Sequence, residues 1–368
     1  MKRVLFLIHD LGQGGAEKVL INLVNNMDKS KFRITVMALF GGGVNERFLS
    51  DDVEYITVFK KSIPGNSKLM LFFSPEQLHS LFIKDEYDIE ISYLEGPSAR
   101  IISGCTNDNT KLVSWIHCTM HSKQEISKSF RNYREAKKCY QRFDISAFVS
   151  EEIKKHFMDF IGLNQSCVLY NTNESKKIQK MSTENLDDNR LCGSEIKLVG
   201  IGKLEELKGF DRLIRIHKRL LDDGYRIKSF ILGIGSEENS LRKMITDYEI
   251  DDSLFLLGYQ TNPYKYLSKC DLFVCCSKSE GFSTATTEAL IVGLPVCTVE
   301  VSGMREMLGE NEYGMIVDNN EEALYEGIKV LLKHPEKLAY YKEMARTRGK
   351  RFSTEKTVQA VENMLLSL

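Results

Sequence analysis

The sequence predicts an α/β protein made of two doubly wound, Rossmann-like domains facing across a cleft. Three observations carry this expectation. The chain has 368 residues, too many for one ordinary core, and such chains divide into domains of ~100–200 residues. Short continuous apolar runs alternate with amphipathic stretches, the pattern of buried parallel strands covered by helices. The alternation is interrupted by a polar stretch near residues 173–194 and then restarts.

Residues 4–8 (VLFLI) read as the first buried strand, followed by the turn Gly12-Gln13-Gly14-Gly15. A helix over residues 16–27 then puts Val19, Leu20, Leu23 and Val24 on one side. Further strands are expected at 32–39, 89–93, 112–116 and 145–149. Beyond the polar stretch, strands at 196–202, 227–232, 254–257, 272–276 and 296–299 are separated by helices, including 211–221. Helices over 324–332 and 338–349 precede a last segment that starts at Ser353, a fitting N-cap, with Val358, Val361, Leu365 and Leu368 on one face. The expected division is therefore 1–172, a linker or surface excursion at 173–194, a second domain at 195–350, and a C-terminal helix at 351–368 packing back on the first domain.

Composition narrows the function. Hydrophobic residues make up 42% and charged residues 27%, which indicates a globular chain rather than a disordered one. Fifty basic and 51 acidic residues give a net charge of −1, without the basic excess that nucleic-acid binding requires. The nine cysteines are scattered and contain no Cys-x-x-Cys, which argues against a disulfide framework or zinc ribbon and for a reducing cytoplasm. The opening MKRVLFLIHD has too short an apolar run for a signal peptide. No stretch approaches the ~18 apolar residues of a spanning helix.

Ligands of such sheets bind beyond the carboxyl ends of the strands, where helix N-termini offer free amides. Three turns qualify. Gly12-Gln13-Gly14-Gly15-Ala16-Glu17 lets backbone amides approach a ligand, although it is no dinucleotide fingerprint. Gly202-Lys203-Leu204 with Lys208-Gly209 brackets a loop with two lysines suited to two phosphates. The third, Ser279-Glu280-Gly281-Phe282-Ser283-Thr284, leads into a helix that Ser283 can cap, that carries Glu288 and that Gly293 and Pro295 end. Its two carboxylates suit vicinal hydroxyls of a sugar and a ribose, and the amides of Phe282, Ser283 and Thr284 suit a diphosphate.

These residues resemble the retaining GT-B glycosyltransferases of family 4, the bacterial polysaccharide and glycolipid transferases. The resemblance is carried by Gly14-Gly15-Ala16-Glu17, by Gly202-Lys203-Leu204 with Lys208-Gly209, and by Glu280-x7-Glu288 within SEGFSTATTEALIVGLPV. Val149-Ser150, Tyr170-Asn171 and Gly258-Tyr259 extend it over nearly the whole chain. It implies that Glu280 binds donor-sugar hydroxyls, that Glu288 binds the ribose, and that Lys203 and Lys208 neutralise the diphosphate, with Gly15 near it. It further implies that His117 lies near the transferred sugar. Lysine stands at 203 where the family usually has arginine, Gly303 is what remains of a usual glycine pair, and Thr172 replaces a usual glycine.

The implied reaction moves a sugar from a nucleotide-diphosphate sugar, UDP-hexose or UDP-N-acetylhexosamine, to a glycan or polyprenyl-diphosphate-linked glycan in cell-surface polysaccharide synthesis. No Asp-x-Asp occurs, so no metal and no cofactor is expected. Two other readings stay open: a nucleotide-sugar epimerase on the same architecture, and a non-catalytic nucleotide or glycan binding protein. Finally, residues 125–142 have helical spacing that puts Lys128, Arg131, Arg134, Lys138 and Arg142 on one stripe, with Ile126, Phe130, Tyr133 and Tyr140 opposite. The stripe is expected either to be solvated or to meet the acceptor or an anionic membrane surface, with Lys60, Lys61 and apolar residues 69–73 as a second contact. A peripheral position at the inner face of the cell membrane follows from that alternative.

Overall fold

The computed structural model describes residues 1–12, 14–61 and 69–368. The chain divides into two compact units, Met1–Asn173 with Thr354–Leu368, and Glu174–Ser353.

The first unit is built on a seven-stranded sheet of β1 (Lys2–Ile8), β2 (Phe32–Phe40), β3 (Glu54–Phe59), β4 (Ile89–Ser92), β5 (Lys111–Ile116), β6 (Ile145–Phe148) and β7 (Ser166–Val168). Their order is β3-β2-β1-β4-β5-β6-β7, all parallel. The direction of winding reverses between β1 and β4, which pair through Val4↔Ile89. Helices follow the strands, among them Gly15–Asn26 and Glu151–Phe160, the latter capped by Ser150, which accepts from the Ile153 amide. The helix Thr354–Ser367 also belongs here. It buries Val358, Val361 and Leu365 while Leu368 stays partly exposed. Glu362 accepts from the Asp28 amide and Lys2 Nζ donates to the Leu365 carbonyl.

The second unit repeats the plan with six parallel strands in the order β10-β9-β8-β11-β12-β13. These are β8 (Ile196–Ile201), β9 (Ile227–Leu232), β10 (Leu254–Leu256), β11 (Leu272–Cys275), β12 (Val296–Val299) and β13 (Met315–Val317). Here the reversal falls between β8 and β11, paired through Leu198↔Leu272. Open α/β sheets place their ligand sites at such reversals, beyond the carboxyl ends of the two strands.

Two expectations need correction. Residues 173–194 carry the helix Ser175–Ser182, whose Ile178 is buried and whose Met181 carbonyl receives the Asn262 side-chain amide. The stretch is polar because only one face of that helix is covered. Residues 125–142 are two helices, Lys123–Ser127 and Tyr133–Tyr140, not one. Asn132 breaks the run, since its backbone is extended and its side chain caps the second helix by accepting from the Glu135 amide. Among the described residues no helix is long and apolar enough to cross a membrane.

Candidate active site

At the reversal of the second unit, β8 leads into Gly202 and Lys203, and a single 3-10 turn, Glu206–Lys208, leads on to the helix Phe210–Asp222. Gly209 makes this turn possible. Its φ is +64°, and a Cβ there would sit 2.2 Å from the Cys276 carbonyl oxygen. The close approach brings Lys208 against the residues that follow β11. Lys208 Nζ donates to Glu280 Oε1 at 2.7 Å, and Ser277 Oγ donates to the same oxygen at 2.7 Å. Burial opposes the charge on Lys208, but the field and hydrogen bond of Glu280 outweigh it and raise the lysine above its ordinary pKa. The Lys208 stem lies over Gly202, 3.6 Å from where a Cβ would stand. Lys203 is exposed.

The helix Thr284–Val292 starts beside this pair. Ser283 caps it by accepting from the Thr286 amide, and Gly293, with φ of +84°, ends it. The first amides of a helix have no partner within it, so the residues after Glu280 and Gly281 present positive backbone ends where β11 stops. Phe282 is buried, and its ring would collide at 2.9 Å with a Cβ on Gly303. Glu288 is only 4% exposed and accepts a hydrogen bond of 3.1 Å from Tyr264.

In the first unit the turn after β1 is held by Asp10, whose carboxylate accepts from the Gly12 amide at 2.7 Å and contacts His9 Nδ1 at 2.6 Å. Gln13 lies outside the described residues. The Glu17 carboxylate curls back over Gly14, 1.8 Å from where a Cβ would be, so an anion approaching Gly15 meets a like charge there. His117 follows β5 and is buried, which depresses its pKa to about 3 and keeps the imidazole neutral. Its amide donates to Glu95 at 3.0 Å, and burial pushes the Glu95 carboxyl up. Tyr93 and His117 rings are 4.8 Å apart, and Tyr93 and Trp115 rings 4.9 Å. Among the described residues the polar atoms Tyr93 Oη, Trp115 Nε1, His117 Nε2 and Thr119 Oγ1 are buried without a hydrogen-bond partner.

Comparison with known proteins decides what this arrangement belongs to. Residues 13–172 match the model of Glycosyltransferase Family 4, and residues 182–348 that of Glycosyl transferases group 1. The chain belongs to the family 4 glycosyltransferases. Over the whole of both chains it is 27% identical to the N-acetylgalactosamine-N,N'-diacetylbacillosaminyl-diphospho-undecaprenol 4-alpha-N-acetylgalactosaminyltransferase of Campylobacter jejuni. It is similar in fold to Anabaena HepE in complex with UDP-glucose, with a TM-score of 0.78, 18% identity and complete coverage of both chains. The lipopolysaccharide outer core galactosyltransferase WaaB, at 17% identity and covering 100% and 99% of the two chains, gives a TM-score of 0.75. The fold is GT-B.

In this glycosyltransferase the second unit brings Gly202, Lys208, Glu280, Gly281, Phe282, Ser283 and Thr284 to one sheet reversal, and sets Glu288 one helical turn deeper. Gly15 and His117 belong to the first unit. Sequence reasoning missed Ser277 and Tyr264, the partners of the two glutamates. Ser277 sits three residues before Glu280 and was within reach of inspection, whereas nothing in the sequence links Tyr264 to a residue 24 positions on. It also passed over Tyr93 and Trp115, which read as core, although Trp115 and His117 stand two residues apart at the end of β5 and their rings stack 6.3 Å apart. Of the basic stripe, Lys128, Arg134 and Lys138 are exposed without an ion pair among the described residues, while Arg131 and Arg142 are tied to backbone carbonyls.

One further cluster lies elsewhere. At the start of β4, Glu90 meets His79 at 2.8 Å and Cys105 at 4.0 Å. Burial disfavours the imidazolium, but the bonds to Cys105 and Glu90 outweigh it and raise the His79 pKa to about 9, so this is a buried ion pair.

Tyr264→Phe tests the packing beneath Glu288. Removing a donor from a buried carboxylate costs about 1–3 kcal/mol, so thermal unfolding should shift down by several degrees. Affinity for a nucleotide diphosphate should weaken with it. Unchanged affinity would detach Glu288 from nucleotide binding.

Proposed function

We propose that this glycosyltransferase is a retaining, metal-independent hexosyltransferase. It takes a UDP-hexose or UDP-N-acetylhexosamine and extends a glycan or polyprenyl-diphosphate-linked glycan at the inner face of the cell membrane. The observation that carries the reading is the Lys208–Glu280 pair at the β8/β11 reversal, 2.7 Å apart. It sets a cation for the leaving diphosphate directly beside a carboxylate for the sugar hydroxyls. The names of two similar proteins support the substrate classes: one complex holds UDP-glucose, and the full-length relative acts on a diphospho-undecaprenol glycan.

The chemistry then asks for little beyond charge stabilisation. The acceptor hydroxyl attacks the anomeric carbon from the side of the departing diphosphate. The bond to the diphosphate oxygen breaks, and that oxygen takes the acceptor proton. Lys208, Lys203 and the first amides of the helix Thr284–Val292 meet the charge that develops on the diphosphate. Glu280 orients the sugar, Glu288 the ribose, and neutral His117 donates or accepts a hydrogen bond near the sugar without adding charge.

The test is transfer from a panel of UDP-sugars to a polyprenyl-diphosphate disaccharide, with and without chelator. Transfer with the anomeric configuration of the donor, unaffected by chelator, is expected. An inverted product sinks retention. Complete loss restored by one divalent ion sinks metal independence. Conversion of donor to an epimer without any acceptor would make the protein an epimerase instead.

A further inference from the structure

Residues 69–73 form the most exposed apolar feature among the described residues of the first unit. Leu69 is 60% exposed, Phe72 80% and Phe73 45%, while Met70 between them is buried and anchors the tip. The 3-10 turn Met70–Phe72 shapes it, closed by the Phe73 amide donating to the Met70 carbonyl. Two arginines then bond every carbonyl from Met70 to Phe73. Arg100 donates to the carbonyls of Met70 at 2.8 Å and Phe73 at 2.7 Å. Arg131 donates to those of Leu71 at 2.8 Å and Phe72 at 3.2 Å. Glu135 holds both in place, pairing with Arg100 at 3.0 Å and accepting from the Arg131 amide at 2.6 Å. Arg100 is 1% exposed, so its role is structural rather than one of surface charge.

In water, carbonyls on a surface turn need no such partners, because solvent supplies them. Where water is excluded, each unbonded carbonyl is costly. A tip with protruding phenylalanines and four bonded carbonyls is therefore suited to a low-dielectric layer. The surroundings fix which layer. Between residues 123 and 142 there are seven lysines and arginines against two glutamates, in a chain whose net charge is −1. Lys128, Arg134, Lys137 and Lys138 of this segment are exposed, and Arg131 joins the segment to the tip.

We propose that the tip is a membrane wedge: Leu69, Phe72 and Phe73 enter the headgroup–acyl boundary of an anionic phospholipid surface, and the basic segment beside them binds the headgroups. Arg100 and Arg131 are positioning residues that keep the inserted backbone bonded. The lipid-borne acceptor proposed above gives this surface its purpose, but the geometry behind the wedge is independent of the sugar chemistry.

Vesicle binding is measured without donor or acceptor. The Phe72→Trp variant is expected to show blue-shifted emission with phosphatidylglycerol vesicles at low salt, with quenching by brominated lipid and reversal by high salt. Phe72→Ser with Phe73→Ser should lower partitioning by about tenfold or more, and Lys128, Arg134 and Lys138 to Gln on the order of 100-fold. Both should leave the melting temperature unchanged, because the altered side chains are exposed. Arg131→Gln should weaken binding more than loss of one charge predicts. Equal binding to phosphatidylcholine and phosphatidylglycerol overturns the proposal, as does an unshifted emission from the Phe72→Trp variant. A concentration-dependent dimer abolished by the serine variant would make the tip a self-association surface instead. Vesicle binding by a protein that transfers no sugar would overturn the proposed function and leave the wedge standing.

Discussion

Lys208→Ala is expected to lower turnover by roughly 100-fold or more, the usual cost of removing a charge that stabilises the transition state. The structure adds a complication that alters how the variant is read. Glu280 is 11% exposed and accepts from both Lys208 and Ser277, so the alanine leaves a shielded carboxylate without its cation. Nucleotide diphosphate affinity should fall as well, because an uncompensated negative charge then stands where the diphosphate binds. Glu280→Ala should do the opposite to nucleotide binding. It frees the ammonium of Lys208, so affinity for the free diphosphate should hold or rise while sugar transfer collapses. The double variant closes the cycle. If Glu280→Ala weakened diphosphate binding as much as donor binding, the assignment of Glu280 to the sugar would be wrong. Additive losses in the cycle would show that the 2.7 Å pair is not functional.

Glu90→Ala is expected to cost about 3–5 kcal/mol of stability, the range for breaking a buried ion pair from one side. Glu90 is 2% exposed on a central strand and faces His79 at 2.8 Å. The same pair gives the wild type a pH signature. His79 has a folded-state pKa of about 9, raised from 6.5. Below 6.5 both states hold the proton and the stabilisation is complete. Between 6.5 and about 9 the unfolded chain releases the proton and the folded one keeps it, so stability falls as pH rises. The loss across this window is on the order of 2 kcal/mol after allowance for partial exposure. Urea unfolding at about pH 6, 8 and 9.5 measures it, and Glu90→Gln should flatten the slope. A wild-type profile already flat across that range would rule the ion pair out.

The parts of this fold that were legible in the sequence are those whose burial is one-sided in pattern or complete. Strands such as β1, β9 and β12 are buried along most of their length, and their apolar runs mark them within a residue or two. The strands that escaped notice are β3, β7 and β13, all at sheet edges. There the side chains are half-covered, as in the exposed and intermediate residues of β3, and the apolar runs are too short to stand out, three residues in β13. The helix Thr284–Val292 was legible at both ends because its punctuation is local: a serine cap and a left-handed glycine. The break near Asn132 was not, because periodicity counts apolar spacing and is blind to one side chain that caps a new helix. For the site the contrast is similar. Glu280, Glu288 and Lys208 stand in local motifs, whereas Tyr264 reaches Glu288 only through the fold.

The first unit is not a continuous stretch of chain, because residues 354–368 return to it after the whole of the second. During synthesis the second unit therefore has all of its residues while the first still lacks the helix that buries its own Val358, Val361 and Leu365 and receives Lys2 at the Leu365 carbonyl. The half made first is completed last. A stop before residue 354 would thus leave the second unit whole and strip the first of this helix, opening the apolar seam against the helix Gly15–Asn26. In a nascent chain that seam stays uncovered until residues 354–368 have been made.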